Sequence, residues 1–252
     1  MIGRALIVLL ALVASAAPAR AQAVQILPRF DFHLGAEHLG SDDRRFVWDT
    51  NFGGELDLLD YGRGRATFEA NYQAILGEEF KKFDPNQGNY ILVGVGSVRS
   101  GALEVAGVFY HQSRHLGDRA NRQAVDWNML GGRVRHALTR GRVSVNSRAD
   151  LRSVIQHTFV DYRWELDSRL DARAAVGPGI ALIAGGGVRL LGVDGSRSRG
   201  TQHGFRAEGG VRIEGRGAAA ELFLAVERRI DPYPLQSSTE TWLTGGFRLL
   251  SR

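Results

Sequence analysis

Between residues 161 and 173 a charged side chain occupies every second position of the chain. The charged set is Asp161, Arg163, Glu165, Asp167, Arg169, Asp171 and Arg173, and the interleaved set is Tyr162, Trp164, Leu166, Ser168, Leu170 and Ala172. On a helix both sets would spread around the whole cylinder, whereas on a strand successive side chains point to opposite faces. The spacing therefore predicts a β-strand with a ladder of mixed charge on one face and an apolar face with an aromatic end on the other.

The same two-residue period recurs along most of the chain and predicts twelve strands. Gly-rich turn signals, spaced about 40 residues apart, alternate with longer polar stretches, so short and long connections alternate as well. The predicted strands cover residues 25–37, 45–59, 65–76, 89–98, 102–112, 123–137, 142–153, 159–174, 180–191, 204–213, 218–228 and 239–250. The prolines agree with this division: Pro85, Pro232 and Pro234 fall in predicted long loops, and no proline interrupts a central strand, where its missing donor would break the ladder.

Residues 1–23 have the pattern of an export signal. Arg4 supplies the positive start, an apolar run follows, and small residues at two candidate sites predict cleavage after Ala21 or Ala23. The apolar run is too short to span a bilayer, and no later segment is long enough for a transmembrane helix. Residues 24–252 are therefore predicted to form a single all-β domain, a twelve-stranded antiparallel transmembrane barrel in the cell outer membrane, with a polar lumen and an apolar lipid face. A soluble β-sandwich with the same pattern turned inside out is the alternative.

The composition and net charge limit the classes of partner that the chain can bind, and they say little about its activity. Loss of Arg4 and Arg20 with the signal lowers the net charge from +5 to +3, and no basic stripe predicts nucleic-acid binding. Cysteine is absent, so an exported chain must be held by means other than disulfides. The expected partners are the outer-membrane bilayer and, during insertion, the barrel assembly machinery. The sequence does not indicate an oligomeric state.

The charge ladder is the first candidate functional feature, because interior charges of a barrel control what passes through it. Its arginines could select anions, or they could pair with the carboxylates and fill the lumen; we favour filling. The ladder residues are Arg148, Asp150, Arg152, Asp161, Arg163, Glu165, Asp167, Arg169, Asp171 and Arg173.

The second candidate feature is the pair His111 and Ser113, near the external end of the fifth predicted strand. Residues two apart on a strand share a face, and His111 has the parity of Leu103 and Phe109, which favours the lipid side. A histidine beside a serine can act as the general base for a nucleophile. Folding the hairpin about its loop centre predicts Gln123, Val125 or Asp126 opposite His111.

This His-x-Ser motif resembles that of outer membrane phospholipase A, also a twelve-stranded barrel, and that of the lipid A deacylases. The resemblance implies that His111 is the base, that Ser113 is the nucleophile, and that a polar residue of the next strand orients the histidine: Gln123, Asp126 or Asn128. Asn128 follows Trp127, as an asparagine follows a tryptophan in the phospholipase, but it lies further along than the hairpin fold predicts. The phospholipase has Asn-Gly after the serine, whereas Arg114 and His115 stand here.

The longer string from His111 to Asp118, His-x-Ser-x-His-Leu-Gly-Asp, is similar to one in an outer-membrane barrel family without an assigned function, which implies the fold and no activity. The acidic loop residues Asp42, Asp43, Glu78, Glu79 and Asp118 could bind calcium together, although solvated loops are the simpler interpretation. The sequence predicts no resident metal or cofactor, with calcium relevant only to a hydrolase. The leading hypothesis is a non-enzymatic barrel, either a small channel or a structural or surface-binding protein. The alternative is a lipid acyl hydrolase that uses His111 and Ser113.

Overall fold

The computed structural model describes residues 23–117, 123 and 125–251, and all the regular elements among them are β-strands. No helix in these residues is long and apolar enough to cross a membrane. The predicted export signal, except Ala23, and the loop residue Asp118 lie outside the described residues. The strands are β1 (Gln25–Leu39), β2 (Trp48–Asp60), β3 (Arg65–Gly77), β4 (Asp84–Ser100), β5 (Leu103–Leu116), β6 (Val125–Arg140), β7 (Val143–Thr158), β8 (Tyr162–Gly177), β9 (Ile180–Val193), β10 (Gln202–Glu214), β11 (Ala218–Ile230) and β12 (Thr239–Ser251).

The twelve strands form one closed antiparallel barrel in which each strand pairs with its neighbours in the chain and β1 pairs with β12. The predicted number of strands, their antiparallel order and the barrel fold are therefore confirmed. The β1–β12 seam is short: β1 pairs with β12 only from His33 to Leu39, whereas its pairing with β2 runs from Gln25 to His38. Closure at this seam pairs the two edge strands over that stretch, as a strand structure in lipid requires, and residues 25–32 of β1 extend past the end of β12.

The two faces of the barrel wall differ as the alternation predicts. Large apolar side chains such as Phe52, Leu151 and Leu243 are exposed on the outer surface, and polar or charged side chains such as Asp49, Arg133 and Glu165 are buried in the interior. A polar interior inside an apolar outer surface is the arrangement of a membrane barrel. It is the reverse of a soluble sandwich, so that alternative is excluded.

Short turns close one end of the barrel and longer connections the other, here called the turn end and the loop end. Four turn glycines adopt positive φ angles of 58° to 77°, a conformation that only glycine reaches without steric cost: Gly62, Gly101, Gly141 and Gly179. Pro85 corrects the sequence prediction, because it lies in β4, opposite Leu76. The strand tolerates this proline because Pro85 is its second residue and the β3–β4 register shifts there.

Two apolar clusters fill the loop end of the barrel. The larger one surrounds Trp127 and Met129 of β6, and the smaller one packs Leu39, Phe46 and Trp242 together. Trp127 is only 1% exposed and meets the ring of Tyr162 edge to face, with the ring centroids 5.1 Å apart. Apolar packing in the interior is therefore concentrated near the loop end, where it lies beside buried charged groups such as Arg114 and Asp231.

The connection between β11 and β12, residues 231–238, is bonded to the barrel wall at the loop end. Arg114 donates to the backbone oxygens of Asp231 and Pro232, both at 2.7 Å, and the Tyr162 hydroxyl donates to the Asp231 carboxylate at 2.8 Å. Arg199 bridges Asp231 to Asp161. These bonds hold residues 231–238, here called the plug loop, at the loop end of the lumen.

Candidate functional site

Ion pairs link the charged side chains of the lumen into extended networks, together called the lattice. Arg133 is bidentate to Asp150, with both nitrogen–oxygen distances at 2.9 Å, and it also contacts Glu69. Across the barrel, Arg206 lies 2.8 Å from Glu37 and 2.8 Å from Glu227. Buried charges of this kind are tolerated only when they are paired. The lattice therefore satisfies side chains that the lumen could not otherwise hold.

Most of the predicted ladder belongs to this lattice. Two directly opposite positions carry like charges, Arg148 facing Arg169 and Asp150 facing Asp167, whereas Arg152 faces Glu165. Some pairs lie within the ladder, as predicted, and the partners on β6, β9, β10 and the β9–β10 connection were not foreseen. The pairs are Asp150 with Arg133, Arg152 with Glu165, Glu165 with Arg189, Asp161 with Arg199, Arg169 with Asp171 and Glu208, and Arg173 with Glu214; Arg148 to Asp150 and Asp167 to Arg152 are longer contacts, both at 3.8 Å.

The start of β8 departs from the predicted alternation. The register between β8 and β9 shifts between Tyr162 and Trp164, so one extra residue, Arg163, interrupts the pairing there. Arg163 is exposed, and Tyr162, predicted on the apolar outer face, is instead buried in the interior cluster. The physical reason is the bulge, because an extra residue reverses which side chains point inward. Within the described residues Arg163 forms no ion pair.

The lumen retains a cavity of about 370 Å³ beneath the plug loop. Its charged lining includes Arg148, Arg189 and Arg229 together with Glu165 and Glu227. Pro232 of the plug loop contributes to the same lining, so the loop borders the cavity directly. Two further spaces, of about 490 and 370 Å³, lie farther toward the turn end, and Arg148 borders all three.

The outer face near the loop end carries the second candidate site. His111 and Ser113 lie on the same face of β5, as predicted, and their inward neighbours Tyr110, Gln112 and Arg114 are buried. The expected register of the next strand was wrong: Asn128, rather than Gln123, Val125 or Asp126, lies directly opposite His111. Asp126 pairs with Ser113 instead. The pairing is centred between residues 119 and 120, further along the chain than the hairpin fold assumed.

Asn128 bonds directly to His111. Its side-chain oxygen Oδ1 lies 2.7 Å from Nδ1 of the imidazole. An amide oxygen only accepts hydrogen bonds, so Nδ1 carries the proton and Nε2 keeps a free lone pair. That tautomer is the one in which Nε2 can remove a proton from a serine hydroxyl.

Gln156 of β7 fixes the orientation of Asn128, and sequence reasoning did not identify it. The Nδ2 amide of Asn128 donates to Oε1 of Gln156, which leaves Oδ1 of Asn128 for His111. Gln156 occupies this position because β7 has a bulge: Asn128 pairs with Gln156, whereas the next residue, Met129, pairs with Val154. Bulges often redirect a side chain beside a functional site. The only sequence signal was a polar residue next to an irregular strand end.

The hydroxyl of Ser113 bonds to a different histidine. Its Oγ lies 2.5 Å from Nε2 of His115, two residues nearer the loop end on the same face. The His115 ring packs edge-on against Tyr90, with the centroids 5.6 Å apart. Ser113 therefore lies between two histidines, one bonded to Asn128 and the other in contact with Ser113 itself.

The acidic loop residues do not form a calcium site in the described part of the chain. Arg45 lies 2.6 Å from Asp43, and its hydrogen bonds hold the pKa of that carboxyl below its usual value. Across residues 23–117, 123 and 125–251, no group of three histidine, aspartate or glutamate side chains converges as metal ligands would.

No family model and no curated protein matches this chain. Among solved structures it is similar to the calcium-bound outer membrane phospholipase dimer of Salmonella typhi, with a TM-score of 0.54 and 12% identity over 88% of this chain and 90% of that one. It is also similar to outer membrane phospholipase A of Escherichia coli, with a TM-score of 0.53 and 12% identity over 90% of this chain and 98% of that one. A third similar structure is an outer membrane channel of Pseudomonas putida F1, with a TM-score of 0.53 and 12% identity over 94% of this chain and 99% of that one. At such identities the likeness shows the fold alone. The fold is that of bacterial outer-membrane barrels, which supports an outer-membrane location.

Proposed function

We propose that the chain is an outer-membrane lipid acyl hydrolase, with Ser113 as nucleophile, His111 as general base and Asn128 as the residue that orients His111. The observation that carries the proposal is the 2.7 Å contact between Asn128 Oδ1 and His111 Nδ1 on the outer face of the barrel. This contact supplies the third member that a serine–histidine pair requires. The outer face is also where membrane lipids meet the protein.

The chemistry follows from the tautomer of His111. After rotation of Ser113 about χ1, its hydroxyl proton passes to Nε2 of His111 while Oγ bonds to the ester carbonyl carbon. The protonated imidazole then returns that proton to the departing lipid oxygen, which leaves an acyl-Ser113 ester. A water molecule, deprotonated by the same Nε2, attacks this ester, releases the fatty acid and restores the Ser113 hydroxyl.

A non-enzymatic channel is the second candidate, and the lumen gives it less support than the outer face gives a hydrolase. Ion pairs cross the described interior, and the plug loop is bonded to several strands at the loop end. A barrel filled in this way is suited to structural stability and would conduct little. A structural or surface-binding role, in contrast, is compatible with this lumen.

The test is the release of fatty acid by folded protein in detergent micelles, with phospholipid or lipid A as substrate and with or without calcium. Ser113→Ala and His111→Ala should each reduce release to background, because general-base catalysis of a positioned serine contributes at least about 10²-fold. Leu130→Ala, which changes a neighbouring exposed apolar residue, is the matched control and should retain activity. Equal release by wild type and Ser113→Ala would refute the hydrolase, and ion conductance by the same preparation would favour the channel.

A further inference from the structure

The resting partner of Ser113 is not the proposed base. Ser113 Oγ bonds to His115 Nε2 at 2.5 Å, while His111 is engaged by Asn128 through Nδ1. In this arrangement the hydroxyl is bonded away from the nitrogen that must remove its proton. A site with the nucleophile held in this way is incomplete until the hydroxyl turns.

The strand geometry allows that turn without movement of the backbone. His111 and His115 lie two residues to either side of Ser113, each about 7 Å away along the strand and on the same face. A serine hydroxyl moves between staggered positions by rotation about one bond, so a change of χ1 redirects Oγ from one histidine toward the other. His115 is exposed, yet its ring is held by Tyr90.

The order of these residues along β5 also matches the order of groups in a membrane lipid. His115 lies nearest the loop end, Ser113 follows, and His111 and Phe109 lie progressively deeper. In a phospholipid the phosphate is likewise outermost, the acyl ester is next, and the hydrocarbon chain is deepest. With the ester at Ser113, the lipid phosphate would reach the level of His115.

We propose, on the basis of the proposed hydrolase function, that His115 is a positioning residue that binds the phosphate of a lipid substrate and thereby releases Ser113 to His111. The nitrogen Nε2 of His115 has one hydrogen-bonding position, so a phosphate oxygen that accepts from it displaces the Ser113 hydroxyl. The free acceptor then available to Ser113 is Nε2 of His111. The substrate class that follows is a phosphate-bearing acyl lipid, and esters without a phosphate are turned over more slowly.

The experiment measures the rate at which a fluorophosphonate modifies Ser113 in folded, full-length protein in dodecyl maltoside micelles. Modification forms the Ser113 Oγ–phosphorus bond, breaks the phosphorus–fluorine bond and passes the serine proton to His111 as fluoride leaves. His115→Ala should react roughly two- to tenfold faster than wild type, the population change that loss of one net hydrogen bond produces. Dodecyl phosphate added to the micelles should accelerate the wild type by a similar factor and leave His115→Ala unchanged.

The outcomes separate this inference from the proposed function. Modification of wild type and His115→Ala at equal rates, with no effect of dodecyl phosphate, would overturn the inference and leave the hydrolase intact. Loss of modification in His115→Ala but not in His111→Ala would also overturn it, because His115 would then be the base. Equal acceleration by inorganic phosphate in solution would refute recognition of a lipid phosphate. A wild type that is folded, unreactive and inactive on every lipid would refute the proposed function, and this inference with it.

Discussion

The lumen and the outer-face site of this barrel contrast in how their polar groups are held. In the lumen, guanidinium groups contact several carboxylates at once, and removal of any one leaves another charge buried. On the outer face near the loop end, a few uncharged groups join in a single chain from Gln156 through Asn128 to His111, with Ser113 and His115 beside it. The lumen has many ion pairs that share partners, and the outer site has few polar contacts.

The contrast indicates where function is to be sought in such a barrel. In a dense lattice of ion pairs, a side chain cannot change partners without leaving a charge unpaired, which suits an interior that remains filled. A sparse group of neutral side chains with one histidine nitrogen free can change partners at low cost, which catalysis requires. On the proposed function, the conspicuous charge ladder serves structure, and the short His-x-Ser motif serves activity.

The largest expected effect tests the structural side of this contrast. Arg133→Ala leaves the carboxylate of Asp150, which is 0% exposed, without its bidentate partner. Loss of one member of a buried pair costs about 3–5 kcal/mol of folding free energy. Unfolding by guanidinium chloride in lipid vesicles measures this loss of folding free energy. Arg163→Ala is the control, because that exposed side chain has no ion pair among the described residues and should change stability by less than about 0.5 kcal/mol. Equal losses of folding free energy in Arg133→Ala and Arg163→Ala would contradict a stabilising role for the lattice.

The next prediction separates the residues first considered as the third member of the site. Asn128→Ala should lower the hydrolysis rate about 100-fold with little loss of stability, because His111 then loses the contact that selects its tautomer. Asp126→Asn, on the same strand but opposite Ser113, should leave the rate within about twofold. Fatty-acid release at saturating substrate distinguishes them, and a larger loss in Asp126→Asn would transfer the orienting role to that carboxylate.

A smaller effect on the hydrolysis rate is expected at Gln156, which contacts Asn128 rather than His111. Gln156→Leu removes the acceptor that fixes the Asn128 amide, and one net hydrogen bond corresponds to a loss of roughly five- to tenfold in rate. Gln202→Leu is the control, since that half-buried side chain donates to the backbone of Gly200 and to no other group in the described part of the chain. No difference in rate between the two variants would show that Asn128 keeps its orientation without β7.

The smallest effect concerns pH and the loop that carries Arg199. Burial raises the pKa of Asp161, but the guanidinium of Arg199 outweighs it and holds the pKa below its usual value near 3.9. A lowered pKa in the folded state gives stability that is present above the ordinary value and lost as pH falls through the folded value. Proteolysis of residues 194–201 should therefore accelerate below about pH 4. Asp161→Asn should show a smaller acceleration, because Asp194 in the same loop still titrates, its pKa being lowered by hydrogen bonds from Ser196. A wild-type rate independent of pH would contradict this coupling.

The fold was predictable because the signals that define it are local. Alternation identified twelve strands, and the turn glycines with positive φ lie where the turn signals were found. The site was less predictable, because its geometry depends on register. The pairing of His111 with Asn128 and the bulge at Ile155 that turns Gln156 outward are set by contacts between strands. Dependence on register also explains the wrong prediction for Tyr162, because the bulge at Arg163 places the Tyr162 side chain on the inner face.

The short seam between β1 and β12 has a consequence for the order of assembly. These strands lie at opposite ends of the chain, so their pairing requires the largest loss of chain entropy and yields comparatively few hydrogen bonds. Hairpins of consecutive strands can form early, whereas the contacts of Glu37 with Arg206 and Thr244 require the sheet to curl fully on itself. We therefore expect an insertion intermediate shaped as an open, curved sheet whose final event is the joining of its two edges. Mechanical unfolding should begin at that same junction.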